Sequence, residues 1–302
     1  MRVGICIPIG ERGPERRALP FAQMREFAQL TDSSGLDSIW VADHLFFRGP
    51  TDEIRGAWES MSILGALADA TTTVELGPLV LCGPFRNAGM MAWAANTLDE
   101  ISGGRFVLGL GAGWSEDEFR AFDFQFDRKV SLFADQLEVI VPLLRQGRVE
   151  YEGRWAKGSA ELRPPGPRPK GPPIMIACSQ PRMMSLTARW ADRWNSVWYG
   201  LPTDEFRAER QLLVDACRAI GRDPAEIDVT VGIAIADPAT TTQNGPKSIV
   251  GREDEIRQAL EVWSAEGVEE VMCRLEPASL DVIERIARAA SAMRAAAAAG
   301  DE

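Results

Sequence analysis

Histidine is almost missing from this chain: its 302 residues include one, His44, and only two tyrosines. So little imidazole excludes the histidine clusters of nitrogen-ligated metal centres. Any proton transfer by a group that titrates near neutrality falls to His44. The five cysteines (Cys6, Cys82, Cys178, Cys217, Cys273) are odd in number, far apart and never arranged C-x-x-C, which fits reduced thiols rather than a disulfide frame or a zinc site. No metal is expected. Clustered Lys and Arg are also lacking, and with a net charge of −11 the chain is a poor partner for nucleic acid. No run of about 18 apolar residues occurs, so no membrane partner is expected. The start, MRVGICIPIGERGPERR, has too short an apolar run for a signal peptide, and the expected location is cytoplasmic.

What is present suits a globular chain. With 45% hydrophobic and 25% charged residues, a chain of this length buries a large core without disulfides or metal. Short β-branched runs alternate with segments of helical period. Strands are predicted at Val3–Pro8, Ser38–Ala42, Val74–Leu81, Phe106–Leu110, Ile174–Ala177, Trp194–Trp198, Ile227–Ile235 and Glu269–Cys273. Each is followed by apolar residues at helical spacing, such as Phe21, Met24, Phe27 and Leu30, or Val130, Phe133, Leu137 and Ile140. Eight β/α units predict an α/β fold, a single (β/α)8 TIM barrel spanning 1–302. Two segments break the rhythm: an insertion at about 148–172, with a turn in VEYEGRW and a stiff RPPGPRPKGPP connector, and a flexible loop at about 237–248. The final AAAAAGDE reads as a fraying helix end.

In such a barrel the C-terminal strand ends form the active site. The second strand ends in Asp43 and His44. By position His44 is either a capping or packed histidine, or a hydrogen-bond donor and proton carrier. The third strand runs through Leu79, Val80 and Leu81 into Gly83 and Pro84, a buried strand and turn by its residues alone. The fourth ends in Gly109, Gly111 and Gly113, which is not the G-x-G-x-x-G dinucleotide fingerprint; tight packing and a cofactor cleft explain it equally well. The fifth leads through Ala177, Cys178, Ser179 and Gln180 to a helix opening at Pro181, either a Ser-capped helix or an anion site at a helix N-terminus that suits a ribityl phosphate. Cys82 and Cys178 also stand at strand ends, but neither has an adjacent cation that would make it a reactive thiolate. No lysine stands at a strand end as a Schiff-base nucleophile.

Taken together, VADHL (41–45), WESMSILGALADATTTVELG (58–77), FRN (85–87), LDEISGGRFVLGLGAGWSEDE (98–118) and the IMIACSQP to ARWADRWN block resemble the luciferase-like monooxygenase superfamily, F420-dependent oxidoreductase subgroup. The central LDEISGGRFVLGLGAGW run is the most specific piece. The resemblance implies that Asp43 and His44 lie against the ring of a deazaflavin, coenzyme F420, with His44 the catalytic candidate. It implies a non-proline cis peptide at Leu79 and Val80, ring contacts near Gly113 and Asp117, and a phosphate loop at Ala177, Cys178, Ser179, Gln180 and Pro181. Two positions depart from the family pattern. Where its sugar-phosphate dehydrogenases carry a catalytic glutamate this chain has Trp114, and Gln180 replaces a glycine. With Phe46, Phe47 and Trp198, Trp114 outlines an apolar, aromatic pocket for a small-molecule substrate. The expected reaction is hydride transfer between reduced F420 and an activated C=C or C=N bond. The alternatives are an FMN-dependent monooxygenase using molecular oxygen and a non-catalytic coenzyme-binding protein. A homodimer is compatible with the apolar helix faces, which equally serve the barrel.

Overall fold

A computed structural model describes residues 1–13, 15–49, 51–239 and 247–300. In chain order the elements are β1 (Arg2–Ile7), α1 (Phe21–Ser33), β2 (Ser38–Val41), a hairpin of β3 (Phe46–Arg48) and β4 (Ile54–Gly56), α2 (Ser60–Ala70), β5 (Glu75–Pro78), β6 (Leu81–Cys82) and α3 (Ala88–Ile101). There follow β7 (Leu108–Gly111), α4 (Glu116–Ala121), α5 (Lys129–Gln146), a second hairpin of β8 (Arg148–Glu152) and β9 (Lys157–Glu161), β10 (Ile174–Ala177) and α6 (Pro181–Trp190). The last are β11 (Arg193–Tyr199), α7 (Asp204–Ala219), β12 (Asp228–Ala236), β13 (Ile249–Val250), α8 (Glu253–Ala265), β14 (Glu270–Glu276) and α9 (Leu280–Gly300).

The wall is a parallel sheet ordered β5-β2-β1-β14-β12-β11-β10-β7-β6. β5 and β6 are two halves of one barrel strand, and a Leu76–Phe106 bridge joins β5 to the start of the β7 run, so the sheet nearly closes on itself. All eight predicted strands are present, each followed by its predicted helix. Because a closed parallel sheet is covered on both faces, its strands are continuously apolar rather than alternating. Val3, Ile5, Ile39, Val41, Val231 and Ile233 are essentially inaccessible and pack in the layer between wall and helices. Burying each large apolar side chain of this kind stabilises the fold by roughly 1.5–3 kcal/mol. Trp40, Val107, Met175 and Met272 form a second buried group against Cys6, Leu79 and Val80. Helix starts are fixed locally: Glu59, Asn87 and Thr203 accept backbone N–H groups at the openings of α2, α3 and α7.

At the N-terminal end of the barrel the strand starts carry charges that pair across it. Arg193 holds Glu75 through two donors at 2.8 and 2.9 Å, and Arg2 reaches Glu75 at 2.7 Å and Asp228 at 3.1 Å. The inaccessible Glu270 lies 3.4 Å from Arg2 and 3.6 Å from Arg193, and accepts from Ser38 and Trp40. Burial pushes the Glu270 carboxyl above its ordinary range. Burial pushes Glu75 the same way, but Arg193 and Arg2 outweigh it and hold that carboxyl below its usual range. Beside this end, Asp32 takes backbone N–H groups from Thr72, Thr73 and Val74.

The predicted insertion is the β8–β9 hairpin followed by an extended connector. Arg168 in that connector pairs with the buried Asp99. The predicted loop at 237–248 lies largely outside the described residues. The alanine run near the C-terminus is helical, with α9 continuing through Gly300. The β3–β4 hairpin was not expected from the sequence; it places Phe47 beside the mouth.

Candidate active site at the barrel mouth

Adjacent residues leaving a strand point to opposite sides, and this separates Asp43 from His44. The Asp43 carboxylate turns into the protein, where it accepts from Ser60 Oγ (2.8 Å), Cys82 N (2.8 Å) and both Arg86 Nη atoms (2.6 and 2.7 Å). Asp43 thereby ties the end of β2 to β6. His44 faces the mouth instead, 4.3 Å from the Phe47 ring and 5.4 Å from Trp114 between centroids.

His44 has a buried acidic partner. Its Nδ1 lies 2.8 Å from Oε2 of Glu118, whose side chain is 1% exposed and whose Oε1 accepts the Leu45 N–H at 2.6 Å. Burial drives the Glu118 carboxyl up, but His44 and the Leu45 N–H outweigh it and hold the group below its ordinary range. An ionised carboxylate only accepts, so Nδ1 carries the proton and Nε2 is the ring nitrogen free for a ligand.

A cleft of ≈ 220 Å³ opens beside this pair, lined by Ile7, Ile9, Ala42, Phe47, Leu79 and Trp198 on its apolar sides and by Cys6, Glu11, Arg12, His44, Arg55 and Arg274 on its polar ones. Leu79 comes from the interruption between β5 and β6, where the Leu79–Val80 peptide is cis, as the family resemblance implied. A second non-proline cis peptide joins Val197 to Trp198, where the β11–β12 register slips. The glycines of the fourth strand make room for the first interruption. A Cβ on Gly109 would strike the Pro78 carbonyl, and one on Gly111 would lie 2.9 Å from Val80 Cγ2. Gly113 sits at φ +78° with Cys82 Sγ 2.5 Å from where its Cβ would be. Clearance for the Pro78 carbonyl, Val80 and Cys82 thus accounts for G-x-G-x-G, the packing alternative left open by the sequence.

Of the other candidate residues, Asp117 points away from the cleft and lies 3.2 Å from Arg48. The acid beside it, Glu118, is the one brought to His44. Trp198 lines the cleft, Phe46 is half-buried in β3, and Trp114 stands 69% exposed against His44. Ala177 to Gln180 lead into α6 with Pro181 in its first turn, and no side chain caps that helix; the Ser-capped reading does not hold. The Cys178 thiol turns to Thr187 and Met184, and burial pushes it up to about 12, which favours the protonated thiol over the thiolate. Burial, with Asp43 nearby, also raises Cys82. A larger cleft of ≈ 660 Å³ lies on the other side of the molecule, between the end of α5 and the connector after β9, with no part of the His44 pair. Among the described residues no group of His, Cys, Asp and Glu is placed to hold a metal, and no helix is long and apolar enough to cross a membrane.

The sequence matches the luciferase-like monooxygenase family model over residues 1–244, and the chain belongs to that family. It is 29% identical over 211 residues to a 5,10-methylenetetrahydromethanopterin reductase of Methanolobus tindarius, covering 70% of this chain and 60% of that one. It is 29% identical over 259 residues to a phthiodiolone/phenolphthiodiolone dimycocerosates ketoreductase of Mycobacterium tuberculosis, covering 79% and 68%. The match thus spans less than two thirds of the reductase. Among solved structures, an F420-dependent secondary alcohol dehydrogenase in complex with an F420-acetone adduct superposes with TM-score 0.81 at 16% identity, covering 97% of this chain and 98% of that one. A monooxygenase from Streptomyces bottropensis superposes with TM-score 0.78 at 22% identity, over the same shares. At these identities the likeness establishes the fold.

Proposed function

We propose that this chain is a coenzyme F420-dependent oxidoreductase, transferring hydride between the reduced deazaflavin and an activated C=C or C=N bond of a small substrate. The observation that carries the reading is the single imidazole, oriented by a buried carboxylate, at the edge of a cleft backed by the Leu79 interruption. The relatives that are named reductases and ketoreductases support it.

The residues present suit a flat, phosphate-bearing coenzyme. Leu79, Ile7 and Ile9 offer an apolar wall to a ring system. The segment Ala177–Cys178–Ser179–Gln180–Pro181 would hold a phosphate, because α6 opens there without a side-chain cap and the N–H groups of its first turn favour an anion. When bound, the deazaflavin supplies the hydride chemistry. The protein supplies orientation and a proton site. Glu118 holds the His44 ring in one tautomer, and Nε2 accepts or positions the proton that accompanies hydride transfer. Phe47 and Trp114 flank that ring and limit its freedom to turn.

The test is a fluorescence titration with F420 and, in parallel, with FMN. Quenching of F420 fluorescence at micromolar coenzyme is expected. Failure to quench, together with tight binding of reduced FMN and oxygen-dependent product formation, would replace this reading with a flavin monooxygenase.

A further inference from the structure

Three guanidinium groups line the cleft beside His44, and they are not equally partnered. Glu53 takes Arg55 through two donors at 3.1 and 2.8 Å, so that charge is satisfied. Arg274 stacks on Trp198, its guanidinium carbon 4.6 Å from the ring centroid. Glu276 Oε1 is 2.9 Å from Arg274 Nε but out of line with its N–H, which is buried and makes no hydrogen bond. Among the described residues the Arg12 guanidinium donates only to the Leu275 carbonyl, at 3.2 Å, and forms no ion pair. Burial weakens its hold on the proton; Glu276 opposes that effect and Arg274 adds to it. Among the described residues the Nη atoms of Arg274 make no hydrogen bond and the Arg12 guanidinium makes one, so two cations with spare donors share a partly desolvated cleft with one carboxylate between them. The remaining acid, Glu11, is turned to the Gly56 N–H at 2.7 Å.

We propose that Arg12 and Arg274 bind a carboxylate of the substrate, making the substrate class a small aromatic or apolar monocarboxylic acid whose reducible bond lies toward His44. The inference rests on reading the mouth as the substrate site of an oxidoreductase. It amends the expectation of a wholly apolar substrate: Trp198 and Phe47 take the apolar part, and the arginines take the charge. A monoanion is favoured over a phosphate ester. With Arg55 paired to Glu53, the two cations Arg12 and Arg274 face the single carboxylate Glu276, a surplus of one positive charge that one carboxylate offsets and a dianion would exceed. A planar carboxylate also matches the fork of donors on a guanidinium.

The experiment is calorimetric titration of the full chain, free of coenzyme and at low ionic strength, with benzoate and with its neutral isostere benzamide. Benzoate is expected to bind at least tenfold more tightly. Arg274→Gln and Arg12→Gln should each weaken benzoate about tenfold to a hundredfold, as loss of a charge-assisted pair does, and leave benzamide unchanged. Arg274→Lys should retain part of the preference, which separates lost charge from a damaged fold. Equal or absent binding of the two probes overturns the proposal, as does a benzoate preference that survives both glutamine variants. F420 titrated against the same variants should bind within about twofold of the unsubstituted chain. If the variants lose F420 and keep benzoate, the arginines serve the coenzyme and the proposal fails. If F420 binds none of the proteins while the benzoate preference stands, the coenzyme reading fails and the carboxylate site does not.

Discussion

The two ends of the barrel use charge in opposite ways. At the N-terminal end, Arg2, Glu75, Arg193, Asp228 and Glu270 start five different strands and are linked by ion pairs, with little freedom left. At the mouth, Glu118 fixes one nitrogen of His44 and leaves the other, and among the described residues the guanidinium ends of Arg12 and Arg274 keep donors that no protein acceptor takes. A closed network locks strands in place, whereas open donors held on the same rigid wall are ready for a ligand. The comparison makes stability a property of one end and chemistry a property of the other.

The sharpest way to break that division is His44→Ala. Turnover should fall about a hundredfold to ten-thousandfold, the usual worth of a positioned acid or base. Coenzyme affinity and melting temperature should stay close to their starting values; a matching loss of stability in thermal denaturation would show that the mouth is structural too. At the other end, Arg193→Met keeps much of the side-chain volume and leaves Glu270 buried with Arg2 alone. It should lower unfolding free energy by about 3–5 kcal/mol in denaturant titration while the folded fraction still binds coenzyme. A loss below about 1 kcal/mol would mean the network contributes little.

Glu118→Gln tests whether the partner of His44 acts through its charge. The amide preserves shape but loses a charge-assisted hydrogen bond, and steady-state kinetics should show kcat reduced roughly tenfold to a hundredfold with KM little changed. An unaltered kcat would reduce Glu118 to a packing role. The smallest effect concerns acid. Burial raises the Asp32 carboxyl, but the backbone and side-chain donors of Val74, Thr73 and Thr72 outweigh it and hold it well below its ordinary range. Its folded-state pKa is depressed, so its contribution is complete above the unfolded value of about 3.9 and is lost as pH falls below it. Asp32→Asn should destabilise the protein by about 1 kcal/mol at neutral pH and by less near pH 3, where the parent has itself begun to lose the interaction.

The fold was legible because it is written locally. A β-branched run and the 3.6-residue spacing that follows it are each contained within a dozen or so residues, and eight repetitions leave few architectures. Asp43 and His44 were legible as a pair at a strand end, but not their division of labour, which depends on which side each leaves the wall. Glu118 was passed over for its neighbour Asp117 because an acid reveals itself as buried only through the residue it faces, and His44 is 74 positions away. A lone histidine at a strand end, with an acid next to the buried Phe119, was the available signal. Arg12, Arg55 and Arg274 come from three separate stretches of chain, and no local pattern joins them.

The glycines that clear the interruption between β5 and β6 have a consequence for how the protein is recognised. In a saturation scan, Gly109, Gly111 and Gly113 would register among the least replaceable positions, although none carries a functional group. The most distinctive stretch of the chain therefore reports on clearance for the neighbouring strand ends, while the arginines that would choose the substrate come from other segments. Relatives that share LGLGAG share the stage, and substrate preference is free to change on top of it.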